Sequence, residues 1–344
     1  MKGFNRICAC IVGLVFLVAG LLKLMDPVGA RLVLQDYFAF FHIGFLRSAA
    51  GLFAVLFALA ESLIGAALVT GVWRRIVALV SGCLLAFFTL LTLIILIANP
   101  AMDCGCFGQA IKLSHGATFV KNLLICGIWG LAFLPLRDYG QPQKVKFVSF
   151  SIAGISILLF TLYSCLSIPL ADYASFKPGT ELEQVTETPL SFYDASGNYV
   201  DELALEGKVM IVSVPRPDKL GAGNLKRMSA FVRRASAAGF RTILLAASAP
   251  GEIENELAAP DLLGMTYFAD PRLLLTLNRS NGGVSYISDG QVIAKWAAGS
   301  RPDAGTLAEL QDADPLETLV RTKNSGKLKF QAFLLYVSAV ILLL

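Results

Sequence analysis

The stretch Ile7-Cys-Ala-Cys-Ile-Val-Gly-Leu-Val-Phe-Leu-Val-Ala-Gly-Leu-Leu-Lys-Leu-Met25 decides the fold class. A helix rises about 1.5 Å per residue, so roughly 20 apolar residues cross a hydrocarbon core of about 30 Å. This run meets that length with a single charge, Lys23. Working outward, comparable runs occupy residues 48–70, 76–98, 117–136 and 147–168. Open-edged strands cannot cross lipid with their backbone groups unpaired, so all five are expected to be helices. A shorter run, residues 330–344, reads as a C-terminal transmembrane helix. Lys2 and Arg6 precede the first run, but Lys23-Leu-Met-Asp-Pro27 offers no small-x-small cleavage pattern. That helix is therefore expected to be retained.

Composition divides the chain in the same way. Of its 344 residues 56% are hydrophobic and 16% charged, where a soluble protein carries about a quarter charged. Residues 1–168 hold 12 of the 29 Lys/Arg and 5 of the 25 Asp/Glu, which leaves 17 and 20 for the remainder. The first part is suited to lipid and the second to water. The net charge of +4 then reflects basic residues flanking the membrane, not a nucleic-acid partner. Among the short loops, Lys2, Arg6, Arg74, Arg75, Arg137, Lys144 and Lys146 fall on one side. Arg31, Arg47 and Lys112 fall on the other. The bias places the N-terminus in the cytoplasm of a bacterial inner membrane and sends the loops at 26–47 and 99–116 outward. The water-soluble part would then be periplasmic.

That part, residues 171–329, alternates strand and helix signals. Residues 190–200 read as two strands around a turn, and 209–214, 242–247 and 266–268 read as buried strands. Helical periodicity covers 224–238, with a further helix expected near 252–259. Residues 283–287 and 291–296 flank Ser288-Asp-Gly290 as a hairpin. The expectation is an α/β domain with a mixed sheet.

All seven cysteines lie in the membrane part: Cys8, Cys10, Cys83, Cys104, Cys106, Cys126 and Cys165. Within apolar helices such residues behave as small hydrophobes. Asp103-Cys-Gly-Cys-Phe-Gly108 differs because it sits in a loop between spans. Cysteines one residue apart can close a small, strained and easily reduced disulfide, and Gly105 and Gly108 permit the tight backbone. Two readings stand side by side, a redox-active pair that exchanges with a thiol or a membrane quinone, and a structural disulfide pinning the loop.

The segment from Arg6 to Lys23 with Asp26-Pro27, and Ala60-Glu-Ser-Leu-Ile-Gly65 with Gly71, resemble the first two helices of DoxX-type membrane proteins. The Cys104-Gly-Cys-Phe-Gly108 loop resembles the related methylamine-utilisation MauE proteins. The resemblance covers residues 1–140 and implies a four-helix core, distantly like that of quinone-linked reductases; the apolar run at 147–168 adds a fifth helix beyond it. The resemblance to MauE proteins implies a part in forming disulfides in an exported enzyme. Residues 190–214 are similar to the entry of thioredoxin-like domains, yet the turn that would bear redox cysteines reads Pro215-Arg-Pro-Asp-Lys219. The loop that usually places a cis-proline reads Arg279-Ser-Asn-Gly-Gly283. Without a thiolate such a domain cannot exchange disulfides. Its expected use is docking of an envelope protein through Pro215, Arg216, Pro217, Arg279 and Asn281.

Glu61 falls near the middle of the second span, where a carboxylate is costly and is by default functional or paired. It is read either as a proton relay or as a protonated interhelical hydrogen bond. Lys23 is expected to snorkel to the interface. His42 and His115, the only histidines, could join Cys104 and Cys106 around a metal, but the spacing matches no zinc motif, and no metal site is expected. Cys165 is a candidate exchange partner for the loop pair, or a packed helix cysteine. The function expected is thiol–disulfide relay at the outward surface, with Cys104, Cys106 and Glu61 carrying it. The alternative is a non-catalytic assembly factor whose soluble domain binds a partner.

Overall fold

The computed structural model describes residues 2–111, 113–134, 144–166, 169, 172–186, 188–248 and 260–344. The chain forms two compact units, Met1–Ala171 with Phe330–Leu344, and Asp172–Lys329.

In the first unit α1 (Lys2–Met25) is followed at once by α2 (Pro27–Phe40), then α3 (Ala50–Thr70), α4 (Arg74–Ala98), a short strand β1 (Cys106–Gln109), α5 (His115–Phe133) and α6 (Lys144–Leu166). The C-terminal helix of the chain runs Pro315–Leu343. Six helices among the described residues are long and apolar enough to cross a membrane, α2 not being one of them. The chain is thus a membrane protein whose apolar helices meet lipid. The last helix extends well before residue 330, because the apolar run records only its lipid-grade portion and not the polar turns around Lys323 and Lys327.

α2 is a departure from the loop expected at 26–47. The Asp26 carboxylate accepts from the Gly29 N–H at 2.9 Å, and Pro27 occupies the first helical turn. A side-chain cap followed by a residue without a backbone donor is a strong helix start.

α1 and α3 are joined by glycines. A Cβ at Gly13 would lie 2.9 Å from the Gly65 carbonyl, and one at Gly20 would lie 2.6 Å from the Ala58 carbonyl and the Ser62 nitrogen. The pairing order is that of antiparallel helices. With no hydrophobic drive between helices in lipid, such close backbone approach supplies the van der Waals contact that holds them. Arg6 donates to the Leu68 and Val69 carbonyls at the end of α3, where unpaired carbonyls welcome a cation. α4 packs chiefly on α5, with Gly82 under Trp129 and the Trp129 indole donating to Ser81 Oγ at 3.1 Å.

The second unit holds β2 (Lys208–Val214), α7 (Ala222–Ala237), β3 (Arg241–Ala246), α8 (Pro260–Leu263), β4 (Thr266–Phe268), α9 (Pro271–Leu277), β5 (Gly283–Ser288), β6 (Gln291–Trp296) and α10 (Ala304–Asp312). Its mixed sheet has the order β4-β3-β2-β5-β6. β2 pairs parallel with β3 and antiparallel with β5. Alternate residues of β2 enter different cores. Met210, Val212 and Val214 pack with Phe231 of α7 and Leu307 of α10, while Val209 and Ile211 pack with Phe192 and Leu274. Burial on both faces explains why β2 reads as a continuous apolar run. The hairpin turn places Asp289 and Gly290 at positive φ, 45° and 74°, as a two-residue type I′ turn requires. At 190–200 two full strands do not form. A single bridge joins Tyr193 to Tyr199 across a turn in which the Asp194 carboxylate accepts from the Ser196 and Asn198 N–H groups. The helix expected near 252–259 lies outside the described residues.

Candidate functional site

The Cys-Gly-Cys loop is built from both ends. Asn99 closes α4 with φ 44°, and Pro100 cannot continue the helix. His115 at the start of α5 braces the far side, its Nδ1 at 3.1 Å from Asn99 Oδ1 and its Nε2 at 3.0 Å from the Met102 carbonyl. Between these ends Gly105 takes φ 62° and Gly108 φ 61°. A Cβ at Gly105 would overlap Val33 of α2, so glycine is required there by both conformation and space. The Tyr37 hydroxyl donates to the Cys104 carbonyl at 2.7 Å, tying the loop to α2.

All seven cysteines are free thiols. Cys104 is 5% exposed and Cys106 half-buried. Burial is the main cause that raises the Cys104 thiol above its usual pKa, with Cys106 and Asp103 adding to it. A hydrogen bond with Thr118, and the charge of Lys121, pull the other way. Burial also raises Tyr37 above the usual phenol range, followed by the neighbouring Cys106 and Cys104.

Both cysteines line a cavity of about 290 Å³. Lys23, Tyr37, Glu61 and Lys121 contribute to the same wall, and the remainder is largely aromatic and aliphatic. Glu61 is therefore brought together with Cys104 and Cys106, from α3 and the loop respectively. Its carboxylate is paired in full: Lys23 Nζ donates to Oε1 at 2.8 Å and to Oε2 at 2.6 Å. The two side chains are 15% and 7% exposed, Lys23 first. This corrects the expectation that Lys23 snorkels to the interface. Gly20, one turn earlier, lets α1 approach α3 so closely that the ammonium meets Glu61 before it can reach a headgroup. Lys23 Nζ also lies 5.9 Å from the centre of the Phe88 ring, a favourable cation–π distance.

Four contributors escaped the sequence reading: Lys23 as a partner, Tyr37, Thr118 and Lys121. Asp26-Pro27 was the available signal for α2 and hence for Tyr37. Among the described residues no group of three or more His, Cys, Asp or Glu is arranged to hold a metal. Cys165 is exposed on α6.

The docking residues of the soluble unit also come together. Asn281 accepts from the Arg216 N–H at 3.0 Å and donates to the Arg216 carbonyl at 2.9 Å, latching the Pro215–Pro217 turn to the 279–283 loop. The Gly282 N–H donates to the Ser213 carbonyl at 2.7 Å beside them. Pro215, Pro217 and Arg279 are buried, and Arg216 and Asn281 are half-buried.

No curated protein and no solved structure matches the chain. Residues 1–135, which contain every residue lining the cavity, match the family model described as methylamine utilisation protein MauE, and this membrane part of the chain is similar to that family.

Proposed function

We propose that this protein relays thiol–disulfide equivalents at the outward face of a bacterial inner membrane, with its N-terminus cytoplasmic and its soluble unit periplasmic. The carrying observation is that Cys104 and Cys106 share one cavity with a buried Lys23–Glu61 ion pair. In the oxidised protein a Cys104–Cys106 disulfide takes two electrons from an exported dithiol. A partner thiolate attacks one sulfur and releases the other, and a second partner thiol displaces the first. The products are a partner disulfide and two protein thiols. Those thiols return to the disulfide by giving two electrons and two protons to a membrane quinone. The cavity suits such an acceptor, because its walls are apolar and Lys23 can donate a hydrogen bond to a carbonyl oxygen. The soluble unit is read as a cysteine-free thioredoxin-like domain, supported by a central first strand with a parallel neighbour on one side and an antiparallel hairpin on the other. Its latched 215–217 and 279–281 loops are read as the dock for the dithiol protein, with half-buried Arg216 and Asn281 as the contacts, because Pro215, Pro217 and Arg279 are buried.

The test is thiol trapping in native membranes. The pair should shift between oxidised and reduced when a quinone analogue or dithiothreitol is added. Single Cys104→Ser or Cys106→Ser variants should accumulate a mixed disulfide with an exported protein. A pair that never changes state and forms no mixed disulfide would end the relay reading.

The second reading, a non-catalytic assembly factor, draws on the absence of any cysteine from the soluble unit. Crosslinking through Arg216 would then recover a partner even from a Cys104→Ser/Cys106→Ser protein with unimpaired assembly.

A further inference from the structure

The cavity has a second property that thiol chemistry does not use. Phe57 of α3 and Phe87 of α4 both line it, yet they are 44% and 53% exposed. At these two rings the wall of the cavity is also the outer surface of the unit. Phe87 lies near the midpoint of α4, and Phe57 lies one helical turn from Glu61. Both helices are long and apolar enough to cross a membrane, so this surface stands at hydrocarbon depth, away from the helix ends. α3 packs mainly on α1, α2 and α6, whereas α4 packs mainly on α5. Consecutive helices thus leave a seam between them.

The volume limits what can enter. About 290 Å³ sits at the bottom of the roughly 300–1,000 Å³ range of small-molecule sites. It suits one ring with small substituents and has no room for a long tail. A molecule held here needs a polar atom for Lys23 and Glu61 and an apolar remainder that stays in lipid.

We infer that the cavity is entered sideways from the bilayer, between α3 and α4, by a lipid-soluble molecule with a ring-sized polar head and a long apolar tail. Phe57 and Phe87 frame the portal, and the tail leaves between them. At the inner end the Lys23 ammonium, held by the Glu61 carboxylate, donates to an oxygen of the head. This rests on the cavity being the acceptor's site in the relay, and it adds the route and the shape of what binds. The route suits the chemistry, since a head drawn from lipid meets the thiols without passing through water.

The experiment uses the full chain in phosphatidylcholine nanodiscs and a benzoquinone bearing a decyl tail with a diazirine. After irradiation, adducts are mapped by peptide mass spectrometry, with excess unmodified decyl-benzoquinone as competitor. Loss of the Cys104 and Cys106 thiols on adding the same quinone is followed in parallel. Competed adducts clustered on α3 around Phe57 and on α4 around Phe87 are expected. Adducts confined to the α5 groove at Val120 and Leu124, which shares Val15, Lys121 and Ile125 with the cavity, or adducts that the competitor leaves unchanged, would overturn the portal. The two readings part cleanly. Thiol oxidation with adducts elsewhere removes the portal and keeps the relay. Portal adducts without thiol oxidation remove the relay and keep a lipid-entered site.

Discussion

Lys23 Nζ stands between both carboxylate oxygens of Glu61, at 2.6 and 2.8 Å, on two helices that glycines bring into backbone contact. Removing one member leaves an uncompensated charge in a poorly solvated place. Lys23→Met or Glu61→Leu alone should each cost about 3–5 kcal/mol, whereas the Lys23→Met/Glu61→Leu pair should recover most of that loss. Thermal unfolding in detergent checks both. If the paired variant regains stability but not quinone-linked thiol oxidation, the ion pair serves the chemistry as well as the fold.

The α1–α3 contact makes a steric prediction. Gly20→Ala places a methyl against the α3 backbone and should destabilise by about 1–3 kcal/mol, as overpacking does. Gly127→Ala, where nothing lies within 4 Å of the new atom, should be neutral. The two unfolding midpoints, measured side by side, decide it.

Cys104 and Cys106 should react with maleimide at different rates. Only the thiolate reacts, and burial raises the Cys104 pKa, so less Cys104 thiolate exists at neutral pH. Its alkylation should lag that of Cys106 and rise about tenfold per pH unit until its raised pKa is reached. Thr118→Val removes an interaction that lowers this pKa and should slow Cys104 further at fixed pH. Stopped alkylation of the reduced protein, read by mass spectrometry, supplies the rates. Equal rates, or a faster Cys104, would contradict the burial argument.

Asn281→Leu should release the Pro215–Pro217 turn, because the N–H and C=O of Arg216 lose their partner together. A cost of about 1–3 kcal/mol per stranded buried group is usual, reduced here because Arg216 is only half-buried. Faster hydrogen exchange at residues 214–220 of the full chain, with the sheet core unchanged, is the expected signature.

How much was legible beforehand differs by element. The spans were readable because lipid imposes a length on each helix independently of its neighbours. β2 was readable because burial on both faces leaves an uninterrupted apolar run. α2 was not, since at 14 residues it is too short for a span and its apolar face merges with the loop around it. The Lys23–Glu61 pair was not readable either. It depends on the register of two helices, and that register is set by Gly13, Gly20 and Gly65, whose meaning emerges only once they face each other. Glu61 could be singled out alone because a carboxylate in lipid demands a partner; which partner was a question of packing. The 190–200 segment misled because alternation predicts strands, while the Asp194 carboxylate captures the turn's donors before a ladder can grow.

Gly105 has a mechanical consequence for the loop around it. Cys104 is clamped through its carbonyl to Tyr37 and through its thiol to Thr118, and Val33 blocks any shift of Gly105 toward α2. Cys106 opens the strand that follows and has no comparable hydrogen bond among the described residues. The two sulfurs therefore behave as a fixed jaw and a freer jaw, Cys104 being the one that is held.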